Sequence, residues 1–243
     1  MKNPEPARPA APPGALEVFL LGVVDFDAAL FLQERLMMDV AQGDDGHGVL
    51  LVCEHPPLIT IGREGSQAHL RCDAEELTAR QMPVRWLNRG GGALVHVPGQ
   101  LALYPILPLA RRGFGLATYR ERLEQSILDT CRELRVRAWR KPPAAGAFCR
   151  SGKVASLGIA VRQGVSSHGL FVNVNPRMDA IQLVRSGDDR DSSLAAERGV
   201  PVSMPTVRES LIRRLAARLD FDRYHLYTGH PLLRRTKRVV AYA

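Results

Sequence analysis

A chain of 243 residues can form one large domain or two small ones, and it is long enough to bury a full hydrophobic core. Its hydrophobic content of 45% is ordinary for a globular protein, and no apolar run approaches the roughly 20 residues that a membrane helix needs. The formal net charge of +8 permits an acidic partner. Aromatic residues make up only 6% of the chain and no basic run is interleaved with them, so a nucleic-acid partner is disfavoured.

Composition divides the chain into three regions. Residues 1–14 are rich in Pro and Ala and lack the apolar core of a secretory signal, so we expect a disordered lead-in and a cytoplasmic protein. Residues 15–220 contain no linker and no internal repeat, which predicts a single domain. Residues 221–243 are predicted to form a basic peripheral tail.

The first half of the domain predicts strands and helices in irregular alternation. A helix is expected to follow Asp25 or Asp27 and to end near residue 41, and a short helix follows the cap residue Asp73. Apolar runs of the β type predict strands at residues 16–24, 49–54, 58–61 and 84–88.

The second half continues this alternation. Thr118 and Thr206, each followed by Glu three residues later, predict capping boxes at the starts of two helices. Apolar runs separated by Pro or Gly predict strands at residues 136–139, 147–150, 153–162 and 168–174. Irregular alternation with hairpin-like pairs predicts an α+β domain with a mixed, largely antiparallel sheet flanked by helices.

The stretch from Arg89 to Gln100 reads RGGGALVHVPGQ and holds three consecutive glycines. Because glycine has no Cβ, such a loop can turn sharply and approach a ligand closely. Alternating apolar residues then lead to His96, as in a strand, and Pro98-Gly99 marks a turn. On its own, the pattern fits a simple hairpin as well as it fits a ligand cradle.

Lysine is rare in this chain, since only four of the 33 basic residues are lysines. One of them, Lys153, lies inside an apolar stretch. Unlike arginine, a desolvated lysine can be tuned to give up its proton, which a general base requires. A lysine at a strand end can equally extend its amine into water.

Several common site motifs are absent from the sequence. Residues 146–153 lack the spacing of a P-loop, no G-x-G-x-x-G motif opens a helix, and there is no G-x-S-x-G elbow. No pair of histidines has metal-ligand spacing on one helix, and the four cysteines show no C-x-x-C spacing. The sequence therefore predicts neither a metal nor a cofactor.

Three segments, taken in order, resemble the motifs of the lipoyl(octanoyl) transferases, relatives of the biotin and lipoate ligases. R-G-G-x-x-T-x-H-x-P-G-Q is matched by the stretch from Arg89 to Gln100, except that Leu94 replaces Thr. The lysine motif K-[IV]-A-[AS]-[IL]-G is matched by residues 153–158, and H-G-[LF]-A-L-N is matched at most positions by residues 168–173. The resemblance spans roughly residues 16–219.

This resemblance implies a biotin/lipoate protein ligase-like fold and an octanoyltransferase activity in lipoate biosynthesis. The implied donor is octanoyl-acyl carrier protein, and the implied acceptors are lipoyl domains of 2-oxoacid dehydrogenases or the glycine cleavage H protein. The implied substrate-binding residues are Arg89, Gly90, Gly91, Gly92, Ala93, Leu94, Val95, His96, Ser156, Leu157, Gly158, Gly169, Leu170 and Phe171.

The chain departs from the family at the nucleophile. The family carries a cysteine in a Pro-Cys-Gly turn, where this chain has Arg185-Ser186-Gly187. Ser186 could act as the nucleophile with Lys153 as acid/base, because a serine must pass its proton to a positioned base during attack. Two alternatives stay open: direct transfer with Lys153 as the base for the incoming amine, and a non-catalytic relative that binds the octanoyl or lipoyl group or its carrier domain. Cys149 is a further candidate nucleophile.

Overall fold

The computed structural model of the protein describes residues 14–43, 46–185 and 190–233, which form eleven strands and six α-helices. The strands are β1 (Leu16–Val23), β2 (Gly48–Glu54), β3 (Leu58–Ile61), β4 (Val84–Trp86), β5 (Ala93–His96), β6 (Gln100–Ile106), β7 (Trp139–Lys141), β8 (Ala144–Cys149), β9 (Gly152–Arg162), β10 (Val165–Asn173) and β11 (Tyr224–Thr228). The helices are α1 (Phe26–Gln42), α2 (Ala74–Ala79), α3 (Leu116–Glu133), α4 (Met178–Ile181), α5 (Leu194–Arg198) and α6 (Met204–Arg218).

Eight strands form the main sheet, in the order β11-β1-β2-β6-β10-β9-β8-β7. Strand β1 pairs in parallel with β2 and β11, and the other neighbouring pairs of this sheet are antiparallel. A smaller sheet has the order β4-β3-β5, with one parallel and one antiparallel pair. The predicted mixed, largely antiparallel sheet is confirmed.

Helices cover both faces of the main sheet. Successive residues of a strand point to opposite faces, so neighbouring residues of β10 pack into different cores. Leu170 and Val172 of β10 belong to a core that includes residues of α3 and α6. Phe171, between them in sequence, belongs to a second core that includes Leu32 of α1. Each fully buried aliphatic side chain of this kind contributes about 1.5–3 kcal/mol. A third cluster joins the small sheet to α4 and the residues that follow it.

A side-chain cap marks the start of α1 and of α6, whereas α3 begins without one. Asp25 caps α1 by accepting from the Ala28 amide at 3.1 Å, as predicted. The two predicted capping boxes are wrong: α3 begins after Gly115, and α6 begins after Ser203. In α6 the Ser203 hydroxyl already accepts from the Thr206 amide, and the proline in the first turn has no N–H to satisfy.

The predicted peripheral tail requires correction, because its first residues belong to the fold. The Phe221 ring is only 5% exposed and lies under the Arg112 guanidinium, with 3.7 Å between the guanidinium carbon and the ring centroid. Residues Tyr224–Thr228 then form the edge strand β11. The strand predicted at 136–139 is found instead at Trp139–Lys141. Residues 1–13 and 234–243 lie outside the described residues.

No helix among the described residues is both long and apolar enough to cross a lipid bilayer.

Candidate active site

The glycine loop, residues 89–92, lies against β9 and brings the first two sequence motifs together. The Gly90 amide donates to the Ile159 carbonyl at 2.8 Å. Gly91 has φ +78°, and a Cβ there would lie 3.1 Å from the Leu157 carbonyl oxygen. Glycine is therefore needed at residue 91 both for its backbone angle and for this close approach.

The loop that follows β3 holds the other side of the glycine loop. The Gly62 amide donates to the Gly92 carbonyl at 3.1 Å, and the Arg63 amide donates to the Arg89 carbonyl at 2.9 Å. In return, the Gly91 amide donates to the Glu64 carboxylate at 3.0 Å. These bonds fix the glycine loop from two directions, so it is not a loose hairpin end.

Arg89 is fully buried, and its side chain binds the loop from inside. Nη1 donates to the carbonyls of Gly90 and Gly92, at 3.0 and 3.1 Å. Nη2 donates to the Thr60 carbonyl at 3.0 Å and to its hydroxyl at 2.6 Å. Gly158 leaves room for this side chain, since a Cβ there would lie 2.8 Å from Arg89 Cδ. Burial lowers the pKa of Arg89 to about 10, so the guanidinium stays charged at neutral pH.

A directed chain of hydrogen bonds leads from Arg89 to His96. Gln100 Nε2 lies 2.9 Å from the Val95 carbonyl, which only accepts, so the Gln100 Oε1 atom faces His96. Nδ1 of His96, 3.0 Å from that oxygen, therefore carries the ring proton. Its Nε2 accepts from the Thr60 hydroxyl at 2.9 Å, and this hydroxyl accepts from Arg89. Burial, with positive charge nearby, lowers the pKa of His96 well below its usual value, which keeps the ring neutral.

The same chain continues to the strand that carries Lys153. Gln100 Nε2 also donates to Asn173 Oδ1 at 2.9 Å, and Asn173 Nδ2 donates to the Ser192 carbonyl at 2.9 Å. The Ser192 amide donates to the Lys153 carbonyl, and the Lys153 amide donates to the Arg190 carbonyl, both at 2.8 Å. All three sequence motifs are thus joined to residues 190–192, just after the predicted nucleophile.

Lys153 is the second residue of β9 and is 9% exposed. Its ammonium nitrogen lies 5.7 Å from the centre of the Phe148 ring. Two glycines make room for this arrangement: a Cβ on Gly146 would lie 2.9 Å from Lys153 Cε, and one on Gly152 would lie 2.2 Å from the Arg190 carbonyl oxygen.

Ser186, the predicted nucleophile, lies outside the described residues. The residues before it are held by the loop near residue 70, because the Arg185 amide donates to the His69 carbonyl at 2.7 Å. The backbone after it is held by Lys153, as described above. The structure therefore describes Arg185 before Ser186, the chain from Arg190 after it, and Lys153, the base predicted to act on its hydroxyl.

Two cavities, an inner cavity and an outer cleft, share Asp191 as a lining residue. The inner cavity has a volume of about 10 Å³ and holds no more than one water molecule. It is lined by Ala93, Leu94, Val95, Gln100, Ser156, Asn173, Ile181, Val184 and Asp191. The outer cleft has a volume of about 840 Å³ and is bordered by Trp139, Phe148, Arg150, Gly152, Arg190 and Ser192, among others.

The predicted substrate-binding residues occupy different places. Four of them line the inner cavity: Ala93, Leu94, Val95 and Ser156. The side chains of Leu157 and Leu170 lie in the core shared with α3 and α6. Phe171 packs edge-on against His96, with 4.7 Å between the ring centroids. Gly158 and Gly169 face each other across β9 and β10.

Five lining residues of the inner cavity were not predicted as site residues. Gln100 and Asn173 lie within the matched motifs, so the sequence held a signal for them. Ile181, Val184 and Asp191 belong to the segments on either side of Ser186, where only closeness in the chain could have pointed to them. Contact between these segments and the glycine loop depends on tertiary packing, which local sequence does not reveal.

Two further histidines are buried and neutral. His55 donates from Nδ1 to the Val24 carbonyl at 2.8 Å, and its Nε2 lies 2.7 Å from the Tyr104 hydroxyl. The His168 amide donates to Gln33 Oε1 at 2.9 Å. Burial lowers the pKa of both histidines to about 4, and the charge of Arg89 adds to the effect at His168.

Cys149 is in a poor setting for a nucleophile. Its thiol lies 3.2 Å from the Gly152 carbonyl and 3.3 Å from the Ser151 hydroxyl. Burial raises the pKa of the Cys149 thiol, and the nearby Glu197 carboxylate raises it further. A reactive cysteine needs the opposite shift, towards thiolate.

Known proteins match most of the chain. The family model described as the lipoyl protein ligase A/B catalytic domain matches residues 25–216. An octanoyltransferase of Roseiflexus sp. (strain RS-1) is 36% identical over 213 residues, which cover 85% of this chain and 88% of the relative. An octanoyltransferase of Geotalea uraniireducens (strain Rf4) is 36% identical over 208 residues, 84% of this chain and 94% of the relative.

Solved structures show the same fold at low sequence identity. A lipoate-protein ligase A bound with ATP has a TM-score of 0.74 at 16% identity, over 90% of this chain and 91% of the other. A bi-partite lipoate protein ligase from Thermoplasma acidophilum, studied with its E2 lipoyl domain, has a TM-score of 0.71 at 18% identity, over 91% and 89%. The predicted lipoate ligase-like fold is confirmed.

Proposed function

This chain belongs to the lipoyl protein ligase A/B catalytic-domain family and acts as an octanoyltransferase in protein lipoylation; we propose that it takes the octanoyl group from acyl carrier protein and that Lys153 and Ser186 carry out the transfer. The acceptor in this proposal is a lysine of a lipoyl domain, as in 2-oxoacid dehydrogenases or the glycine cleavage H protein, and the reaction takes place in the cytoplasm.

One observation carries the mechanism. The backbone of Lys153 is hydrogen-bonded to residues 190 and 192, on either side of Asp191, which lines both the inner cavity and the outer cleft. A group at this point can reach a thioester whose acyl chain points inward and whose carrier lies outside. Lysine can serve as a base there, whereas an arginine could not.

In the first step, Ser186 Oγ attacks the thioester carbonyl carbon while the neutral amine of Lys153 takes the hydroxyl proton. The carbon–sulfur bond then breaks, and Lys153 returns the proton to the departing sulfur. The carrier leaves as a thiol, and an octanoyl ester remains on Ser186. Lys153 is unchanged at the end of the step.

In the second step, the neutral amine of the acceptor lysine attacks the ester carbonyl. The carbon–oxygen bond breaks, Ser186 recovers its proton through Lys153, and an amide remains on the lipoyl domain. The octanoyl group has moved from sulfur to nitrogen with no change of oxidation state. The transfer needs no ATP, because the thioester already supplies an activated acyl group.

The inner cavity is the proposed site of the acyl chain, with Leu94, Val95 and Ser156 in contact with it. Arg89, His96 and the predicted glycines 90–92, 158 and 169 would support this wall from behind, since the space beside Gly158 is filled by Arg89 and the space beside Gly169 by the Leu103 carbonyl. A cavity of about 10 Å³ is far too small for eight carbons. Octanoyl binding therefore has to displace lining side chains such as Ile181 and Val184.

The test is transfer from octanoyl-acyl carrier protein to a lipoyl domain, followed by intact mass spectrometry of all three proteins. Wild-type protein should octanoylate the lipoyl domain, and Lys153→Ala should lower kcat/KM by about 100-fold or more, the usual value of a positioned base. Arg162→Ala is the control, an exposed basic residue at the opposite end of the same strand β9, and it should retain transfer.

The same assay separates the covalent route from the direct one. Loss of transfer in Ser186→Ala supports the ester intermediate. Transfer that survives in Ser186→Ala and is lost in Lys153→Ala would instead favour direct attack by the acceptor amine. Full activity of Lys153→Ala would overturn both.

A further inference from the structure

The outer cleft has an apolar floor and a basic rim. Trp139, on the edge strand β7, is 42% exposed and is the register partner of Phe148 on the neighbouring strand, and both line the cleft. Arg150 and Arg190 are both exposed and both line the cleft. Such a hollow can hold a neutral, flexible arm on its floor while its rim contacts an anionic surface.

The charge of this rim is unbalanced. Among the residues that the structure describes, three basic residues and one acidic residue line the cleft. The acidic residue, Asp191, lies on the inner side, where it also lines the inner cavity. The nearby carboxylate of Glu197 binds the Ser151 amide at 2.9 Å, so it is committed to the fold. The described part of the outer rim thus presents net positive charge.

The cleft borders backbone residues next to Lys153 and the Phe148 ring, whose centre lies 5.7 Å from Lys153 Nζ. The lining of the cleft includes Gly152, which precedes Lys153 in the chain. It also includes Ser192, whose backbone amide donates to the Lys153 carbonyl. A thioester that enters through the cleft would come close to Lys153 and to Asp191, the residue that also lines the inner cavity. The carrier itself must then remain outside, against the rim.

We infer that the rim of the outer cleft, through Arg150 and Arg190, docks the acidic face of the carrier protein that presents the octanoyl thioester. The inference rests on the proposed function, which supplies the carrier as donor. Acyl carrier proteins present acidic surfaces, and complementary charge of this kind increases the rate and specificity of encounter. The neutral arm of the carrier lies along the Trp139 and Phe148 side of the cleft.

The test compares charge-reversal variants for binding and for catalysis. Arg150→Glu, Arg190→Glu and the double variant are titrated with octanoyl-acyl carrier protein to obtain Kd. Transfer to a lipoyl domain is then measured with two donors, octanoyl-acyl carrier protein and octanoyl-pantetheine, which lacks both the protein and its phosphate. Unfolding by urea verifies that each variant is folded.

We expect the double variant to weaken the carrier Kd at least tenfold and to lower kcat/KM with the carrier donor at least tenfold more than with octanoyl-pantetheine. The control is Arg162→Glu, an exposed arginine at the opposite end of β9, about 30 Å away by strand rise. Its Kd should stay within about twofold of wild type, because rim contacts are local.

An unchanged carrier Kd in the double variant would overturn the inference, and so would an equal loss with Arg162→Glu. Equal losses of transfer with both donors would also overturn it, since the arginines would then act on the reaction rather than on the carrier. Failure of the proposed function looks different: wild-type protein would transfer octanoyl from neither donor, while the Kd comparison would still report on docking.

Discussion

At the residue scale, the site depends on buried polar groups whose partners determine one another. The carbonyl of Val95 fixes the orientation of Gln100, and Gln100 in turn fixes the tautomer of His96. The Thr60 hydroxyl completes this series of hydrogen bonds by accepting from Arg89 and donating to His96. Each group satisfies the next one in a buried region, so removal of one member leaves its neighbours unpaired.

Thr60→Val tests this dependence with almost no change of shape. It should lower the free energy of unfolding by about 1–3 kcal/mol, because His96 Nε2 loses its donor and Arg89 loses an acceptor. Urea unfolding measures the change. Thr78→Val, in α2, is the control: its exposed hydroxyl donates to the Ala74 carbonyl, and its loss should cost less than about 0.5 kcal/mol. Equal costs for the two variants would contradict the account.

The buried histidines predict that acid weakens the fold. The pKa of His55 and of His168 is lowered to about 4 in the folded protein, against about 6.5 for an exposed histidine. Between these values the unfolded chain binds more protons, so stability is complete above about pH 6.5 and is lost as pH falls towards about 4. From about pH 7.5 to about pH 5, each histidine should cost about 2 kcal/mol.

Urea unfolding at the two pH values measures this loss. His168→Gln should remove its own share of the pH dependence and leave the share of His55 in place. A free energy of unfolding that is the same at both pH values would contradict the assignment of these histidines as neutral and buried.

Residue-level prediction from the sequence was uneven for physical reasons. The glycine loop, Lys153 and the strand positions near residues 156 and 171 were predicted from local pattern and from family motifs. The position of the Arg89 side chain was not, because a loop arginine can point to solvent or to the backbone with the same local sequence. The cavity walls at Ile181 and Val184 arise from packing between distant segments.

At the element scale, β9 and β10 position the site. Their close approach to neighbouring strands depends on glycines, which have no side chain. A Cβ on Gly169 would lie 2.2 Å from the Leu103 carbonyl oxygen, at the point where β10 joins β6. Backbone atoms cannot move aside as a flexible side chain can. The strand pattern was readable from the sequence, but this contact across strands was not.

Gly169→Ala should therefore lower the free energy of unfolding by about 2–3 kcal/mol and weaken octanoyl transfer as well, because β10 has to shift away from β6. Urea unfolding and the transfer assay measure the two effects. Gly115→Ala offers a control, since a Cβ there meets nothing within 4 Å, and its effect should stay below about 1 kcal/mol. An effect of Gly169→Ala as small as that of Gly115→Ala would show that β10 does not depend on this close backbone contact.

At the scale of the whole molecule, the sheet is closed at one edge by residues that the sequence assigned to a tail. Strand β11 pairs in parallel with β1, about 200 residues earlier in the chain, and such a long-range pairing leaves no local pattern. The predicted start of α6 at Thr206 was wrong by a few residues. Both Thr206 and Ser203 are residue types that cap helices, and the tertiary fold decides between them.

Two shortened chains test where the domain ends. A chain ending at residue 220 loses the buried Phe221 ring and β11, and it should be at least about 3 kcal/mol less stable than a chain ending at residue 233. Urea unfolding of the two chains gives the comparison. Equal stabilities would show that residues 221–233 are peripheral, as the sequence predicts.

The central claim is that Lys153 activates the group at residue 186 for acyl transfer. It is tested most directly by restoring the thiol, with Ser186→Cys made alone and together with Lys153→Ala, and by intact mass spectrometry after incubation with octanoyl-acyl carrier protein. We expect an octanoyl thioester on residue 186, cleaved by hydroxylamine, when Lys153 is present, and at least about 100-fold slower formation of this thioester when Lys153 is absent. Equal rates of acylation with and without Lys153, or acylation at another residue, would contradict it.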